Sequence, residues 1–354
     1  MRFRCLFAVT GRHRRIQRAV AACAALAATL LLAVPVQADT APASCQDLYF
    51  PVTILGTPQT MYGRLCVPAG GARTVEVLIP GASYDSAYWD PRSPSVSSFR
   101  LAMNNGGYAT LTVDRVGTGR SSRPPSVLLT SVTQAGAVHQ VVQDLRAGTK
   151  SQAFDKVILG GHSVGSAVAI IEAGTYHDVD GVLVTGLTHG INPIGAAAIV
   201  ATLIPAALDP KFAGKGYDLG YLTTDPGTRY ASFQKPGPYL PAVAAMDEST
   251  KAVFATGEVV DTVLIGVVST YSKLITVPVM LVMGQDDPAF CGGLIAPDCS
   301  TAATLLRDEA PYYSAKARLQ TYVVDDWGHS INYAPDAPGY QAAVIAWANK
   351  LVGR

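Results

Sequence analysis

A strong net charge is the first thing this 354-residue chain lacks: 27 Lys and Arg stand against 26 Asp and Glu, a formal charge of +1. With no global field to gather nucleic acid, the expected partner is neutral or uncharged. Metal-ligand spacing is missing too. None of the six cysteines forms a CxxC pair and the six histidines do not cluster, so no metal is expected. There is no internal repeat and no low-complexity tract, and the chain is not built by repetition. What is abundant is apolar. Hydrophobic residues make up 49% and charged ones only 15%, enough to bury a large core in a globular protein.

The N-terminus has a character of its own. Six arginines between Arg2 and Arg18 precede a nearly unbroken apolar run, Ala19 to Val36, which exits through the small residues VQA. That order predicts a signal peptide over residues 1–38, cleaved after Ala38, and a secreted mature protein with no stable membrane anchor. Three other readings stay open: a retained anchor, since 18 apolar residues can just span a bilayer, a twin-arginine signal at Arg14 and Arg15, and a lipoprotein site at Cys23. Export gives the cysteine count a meaning. Cys5 and Cys23 leave with the signal, while Cys45, Cys66, Cys291 and Cys299 remain, an even number in an oxidising compartment. Of three connectivities, proximity favours Cys45 with Cys66 and Cys291 with Cys299, each bridge contributing about 2 to 3 kcal/mol.

From residue 46 short β-rich runs alternate with helical periodicity, which predicts a mostly parallel sheet with helices on both faces. QDLYFPVTI and MYGRLCVP have no helix between them and are expected as antiparallel edge strands. Strands follow at VEVLIPG (75–81), YATLTVD (108–114), KVILGGH (156–162), GVLVTGL (181–187), VPVMLVMG (277–284) and LQTYVVD (319–325). Most are apolar throughout, as strands buried on both faces are. Helical periodicity marks SVTQAGAVHQVVQDLRAGT, SVGSAVAIIEAGTY and the terminal PGYQAAVIAWANKLVG. Residues 190–276 break this rhythm and read as an inserted, mainly helical cap on a core made of 39–189 and 277–354. The two ends of the cap are apolar and its middle is rich in Tyr, Pro and Gly; its apolar ends either only pack on the core or also line a substrate cleft.

GHSVG, residues 161–165, is a G-x-S-x-G pentad. The strand VILGG leads into it and the helix SAVAII leaves it, an arrangement that lifts a serine hydroxyl to the top of a sheet. Gly161 and Gly165 fit the strained turn, where side chains would meet the neighbouring strand and helix. A serine needs a base, and the base an orienting acid. His139 and His177 lie in or at the end of helical periodicity, and His162 adjoins the serine, which directs its side chain elsewhere. His329, in a loop just after the last expected strand, is the preferred base. Asp286 and Asp287 follow a strand at the edge where sites in such sheets form. Asp287 is the preferred acid, with Asp286 its first alternative and Asp325 and Asp326 behind.

The order Ser163, Asp287, His329 and the signature D-x-x-G-x-G-x-S, here DRVGTGRS from Asp114 to Ser121, together resemble the α/β-hydrolase superfamily over essentially the whole mature chain. The resemblance implies the α/β-hydrolase fold, a cap at the family's usual insertion point, and no cofactor. It also implies an oxyanion hole built from the backbone N–H groups of Ala82 and Val164. One departure stands in IPGASYDSAYW: many members carry His-Gly where this chain has Pro80 and Gly81. The function expected is a secreted serine hydrolase of uncharged, small to medium hydrophobic carboxylic esters, an esterase, lipase or lactonase. A peptidase, a cofactor-free perhydrolase and a non-catalytic binding protein on the same fold are the alternatives.

Overall fold

The computed structural model describes residues 43–267 and 271–354. The expected signal peptide, with Cys5 and Cys23, lies outside the described residues. Eleven strands are described: β1 (Ser44–Ile54), β2 (Thr57–Val67), β3 (Thr74–Ile79), β4 (Ala109–Asp114), β5 (Lys156–His162), β6 (Gly181–Thr185), β7 (Leu203–Pro205), β8 (Tyr221–Thr224), β9 (Phe254–Ala255), β10 (Val279–Gly284) and β11 (Gln320–Val324). Eight of them form one sheet in the order β1-β2-β4-β3-β5-β6-β10-β11. β2 pairs antiparallel with β1 and β4, and every other pairing in this sheet is parallel. The first pairing is antiparallel because only Leu55 and Gly56, both at positive φ, connect β1 to β2, a turn whose twist matches a hairpin.

Alternation along the central strands divides the core in two. Val75, Val77 and Ile79 of β3 pack in one apolar cluster with the helices Ser131–Ala147 and Val164–Tyr176, while Leu78 joins the other, with Phe99–Asn105 and Ala337–Leu351. Val157 and Leu159 against Ile158, and Val182 and Val184 against Leu183, repeat the division. Successive side chains of a strand point to opposite faces, so a strand covered by helices on both sides is mostly apolar along its length. The result is a mostly parallel sheet with helices on both faces, as the sequence predicts.

Both bridges follow proximity. Cys45 and Cys66 are register partners across β1 and β2, and Cys291 joins Cys299 within the loop after β10. The chain between β6 and β10 forms the helices Pro193–Val200, Pro241–Thr250 and Thr256–Asp261. It also contains a three-stranded antiparallel sheet, β7-β8-β9, that was not expected. Its strands of two to four residues are too short to show an alternating pattern. Among the described residues no helix is long and apolar enough to cross a membrane.

Candidate active site

Ser163 stands between the end of β5 and the first turn of the helix Val164–Tyr176, at φ 52° and ψ −117°. A side chain held at positive φ is a strained conformation that the surroundings must enforce. The enforcement is visible in its two flanking glycines. A Cβ on Gly161 would lie 2.3 Å from the Gly165 carbonyl oxygen, and one on Gly165 would lie 2.2 Å from that of Ile79. Only glycine lets the strand, the turn and the helix approach so closely. The Ser163 N–H donates to the Thr185 carbonyl at 2.8 Å, which ties the turn to β6.

Asp287 and His329 arrive from the loops after β10 and β11. His329 Nδ1 lies 2.7 Å from Asp287 Oδ2, and both side chains are buried. The other carboxylate oxygen accepts the N–H groups of Ala289 at 3.0 Å and Phe290 at 3.1 Å. A carboxylate held by these two donors fixes the imidazole ring through Nδ1, leaving Nε2 as the nitrogen open to chemistry. Asp286, the alternative acid, is exposed, as are Asp325 and Asp326. The remaining histidines are held elsewhere. His189 is bonded through Nδ1 to Glu309 and through Nε2 to Ser272, both at 2.7 Å. His139 stacks on Tyr176 with its Nδ1 2.9 Å from Asp178, and His177 ends a helix in the left-handed region.

His162 departs from expectation in one respect. Its ring leaves the serine, stacks on Tyr88 and bonds Thr185 Oγ1 through Nδ1 at 3.1 Å, but it also comes within 4.7 Å of the His329 ring, centroid to centroid. Burial, and then the His329 ring, push its pKa well below the ordinary 6.5. A neutral neighbour adds no positive charge against an imidazolium forming on His329.

Ser163, Val164, Ala82 and His329 border one cavity of ≈ 130 Å³. Most of its other walls are apolar: Ile199, Val200 and Leu203 come from the apolar stretch over 194–208, Val259 and Val263 from the one that begins at Val259, and Phe233 from between them, while Ser83, Tyr84 and Thr262 add polar atoms. Both apolar stretches between β6 and β10 therefore line the cavity. A larger cavity of ≈ 740 Å³, bounded by Asp90, Arg92 and Gln341, contains none of Ser163, Asp287 and His329.

Residues 77–338 match the Alpha/beta hydrolase family, well over half of the chain. The chain is an α/β-hydrolase. Solved structures agree on the fold. It is similar to a carboxyl esterase from Bacillus coagulans (15% identity, 87% of this chain and 99% of that one, TM-score 0.58). It is also similar to an enol-lactonase from Burkholderia xenovorans (16% identity, 85% and 100%, TM-score 0.57) and a carboxylesterase from Bacillus subtilis (13%, 87% and 93%, TM-score 0.56). At such identities the likeness carries the fold alone. No match to a curated protein was found.

Two further features of this α/β-hydrolase are held by buried polar contacts. The DRVGTGRS signature folds on itself: Asp114 accepts the N–H groups of Ser86 and Arg120, and a Cβ on Gly119 would lie 2.1 Å from the Asp114 carboxylate. The other is a pair of buried arginines that the sequence reading passed over. Arg115 Nη1 donates to the carbonyls of Pro80 and Gly81, and Arg229 Nη1 donates to Ser83 Oγ at 2.9 Å. Arg115 pairs with Glu258 and Arg229 with Asp247. For Arg115 the available signal was positional: it directly follows β4, which is buried at every position, so its guanidinium must find partners inside.

Proposed function

We propose that this protein is a secreted serine hydrolase that cleaves small, uncharged carboxylic esters through a Ser163–His329–Asp287 triad. The observation that carries the proposal is Ser163 at positive φ, bordering the same cavity as His329, whose ring is held by buried Asp287. His329 takes the Ser163 proton through Nε2 as the hydroxyl attacks the ester carbonyl. The backbone N–H groups of Ala82 and Val164 receive the oxyanion. Both border the cavity, and neither donates to another group among the described residues. Each such donor is typically worth about 3 kcal/mol of transition-state stabilisation. His329 then returns the proton to the leaving alkoxide, and water releases the acyl group from Ser163 by the same route.

The cavity supports this substrate class. Its volume of ≈ 130 Å³ favours a short acyl group, and no Asp or Glu is among the described residues that line it. A peptidase that grips a substrate amine needs such a carboxylate, so esters are favoured over N-terminal peptides. The cap is residues 190–276, whose apolar ends contribute Val200, 57% exposed, at the cavity and Ile194 and Leu264 on the outside. Two disulfides and the N-terminal signal pattern support secretion.

The test is a series of p-nitrophenyl esters of rising acyl length, with a lactone and a peptide anilide beside them. Turnover is expected to peak at short acyl chains and to be absent on the anilide. Faster cleavage of the anilide than of every ester would contradict the assignment.

A further inference from the structure

Pro80 stands where many relatives carry a histidine, so the Gly81–Ala82 peptide must take its orientation from other groups. The Gly81 carbonyl accepts Arg115 Nη1 at 2.7 Å and the Tyr84 N–H at 3.2 Å, and the same Arg115 nitrogen reaches the Pro80 carbonyl at 2.7 Å. In a planar trans peptide the C=O and the following N–H point in opposite directions. A Gly81 carbonyl pinned on Arg115 therefore turns the Ala82 N–H away from the arginine, and Ala82 borders the cavity with Ser163.

Arg115 is held in turn. Its side chain has 0% exposure, and its Nε meets Glu258 Oε1 at 2.8 Å. The same Glu258 oxygen accepts Gln134 Nε2 at 3.1 Å, while Oε2 accepts the Ala255 N–H at 2.7 Å. Glu258 belongs to the inserted segment, so an unbroken line of contacts leads from that segment to the peptide beside Ser163. The next residue is tied to the insertion as well. Ser83, at φ 57°, accepts Arg229 through its hydroxyl and the Ala252 N–H through its carbonyl.

We infer that Arg115 is a positioning residue that aims the Ala82 N–H at the oxyanion, and that Glu258 of the insertion fixes Arg115 for that task. The inference rests on the serine-hydrolase reading above. A buried guanidinium bound to two consecutive carbonyls restrains one peptide plane. Replacing it with an apolar side chain leaves both carbonyls without that donor and lets the plane rotate. A displacement of about 1 Å in a catalytic group costs about a hundredfold in rate.

The experiment compares Arg115→Met, Arg115→Lys and Glu258→Gln with the parent on the p-nitrophenyl ester that the parent cleaves fastest. Turnover is divided by the amount of Ser163 that a fluorophosphonate labels at completion, so unfolded protein does not count. For Arg115→Met, kcat is expected to fall about a hundredfold with KM changed by less than about threefold, because the lost interaction belongs to the transition state. The midpoint of the pH profile stays in place, since the base is untouched. Arg115→Lys, able to reach one carbonyl, recovers part of the loss, and Glu258→Gln loses less than Arg115→Met. Amide hydrogen exchange across residues 80–84 speeds up in Arg115→Met. Turnover per labelled Ser163 equal to the parent's in all three variants overturns the inference, whatever their melting temperatures. A parent that cleaves no ester and labels no serine refutes the hydrolase reading instead. Exchange then decides alone: faster exchange at 80–84 upholds Arg115 as the anchor of that peptide, and unchanged exchange overturns it.

Discussion

At the scale of single residues, the account rests on Ser163, His329 and Asp287. Ser163→Ala is expected to fold normally and lose at least about a thousandfold in turnover, because the oxyanion hole and binding alone retain little of a triad's effect. Asp287→Asn is expected to cost far more activity than Asp286→Asn. Asp287 is buried against the His329 ring and Asp286 faces solvent, so kcat for the two variants on one ester separates their roles. The sequence carried the pair of adjacent carboxylates, and the preference for Asp287 coincides with the one that meets His329. Its two backbone donors, Ala289 and Phe290, depend on the course of the loop and left no mark in composition or spacing. His162 was half legible. Its departure from the serine followed from their adjacency, whereas its approach to His329 depends on the turn after β6, where a Cβ on Gly186 would lie 2.7 Å from His162 Cε1.

At the scale of elements, close approach between strands and helices decides the cost of change. Gly165→Ala would set a methyl group 2.2 Å from the Ile79 carbonyl oxygen and 2.7 Å from that of Pro80, both backbone atoms that can yield only if β3 moves. A loss of about 3 kcal/mol or more is expected, read as a fall in the urea midpoint. Gly56→Ala meets nothing within 4 Å and strains only φ, so it should cost about 1 kcal/mol. The Cys291–Cys299 bridge closes the loop that begins at Asp287, and the Cys291 N–H donates to the Asp287 carbonyl at 3.1 Å. A Cys291→Ser, Cys299→Ser variant assayed well below its melting temperature should show reduced turnover; turnover equal to the parent's would leave the bridge a stabilising role only. The long strands were readable because burial on both faces leaves uniform apolar runs. β7, β8 and β9 were not, since two to four residues cannot show a period.

At the scale of the whole molecule, three buried groups make stability depend on pH in opposite senses. Burial raises the Glu76 carboxyl from 4.5 to about 8, and burial together with Asp178 raises Glu172 to about 9. The folded chain keeps protons there that the unfolded chain has released, so stability falls as pH rises from 4.5 through those values. His162 works the other way: the unfolded chain takes up a proton below pH 6.5 that the fold refuses, and stability falls as pH drops below that point. The thermal midpoint is thus expected to decline between pH 6.5 and 9, and Glu76→Gln should decline less and melt higher than the parent at pH 8. Parallel curves for the two proteins would exclude Glu76 as a source of the decline. The claim on which everything else turns is that Ser163 attacks the substrate. Mass spectrometry of the protein quenched during turnover of a short-chain p-nitrophenyl ester tests it most directly. The account predicts an acyl adduct on the peptide containing Ser163, absent from Ser163→Ala; ester turnover with no adduct there, or unchanged turnover by Ser163→Ala, would contradict it.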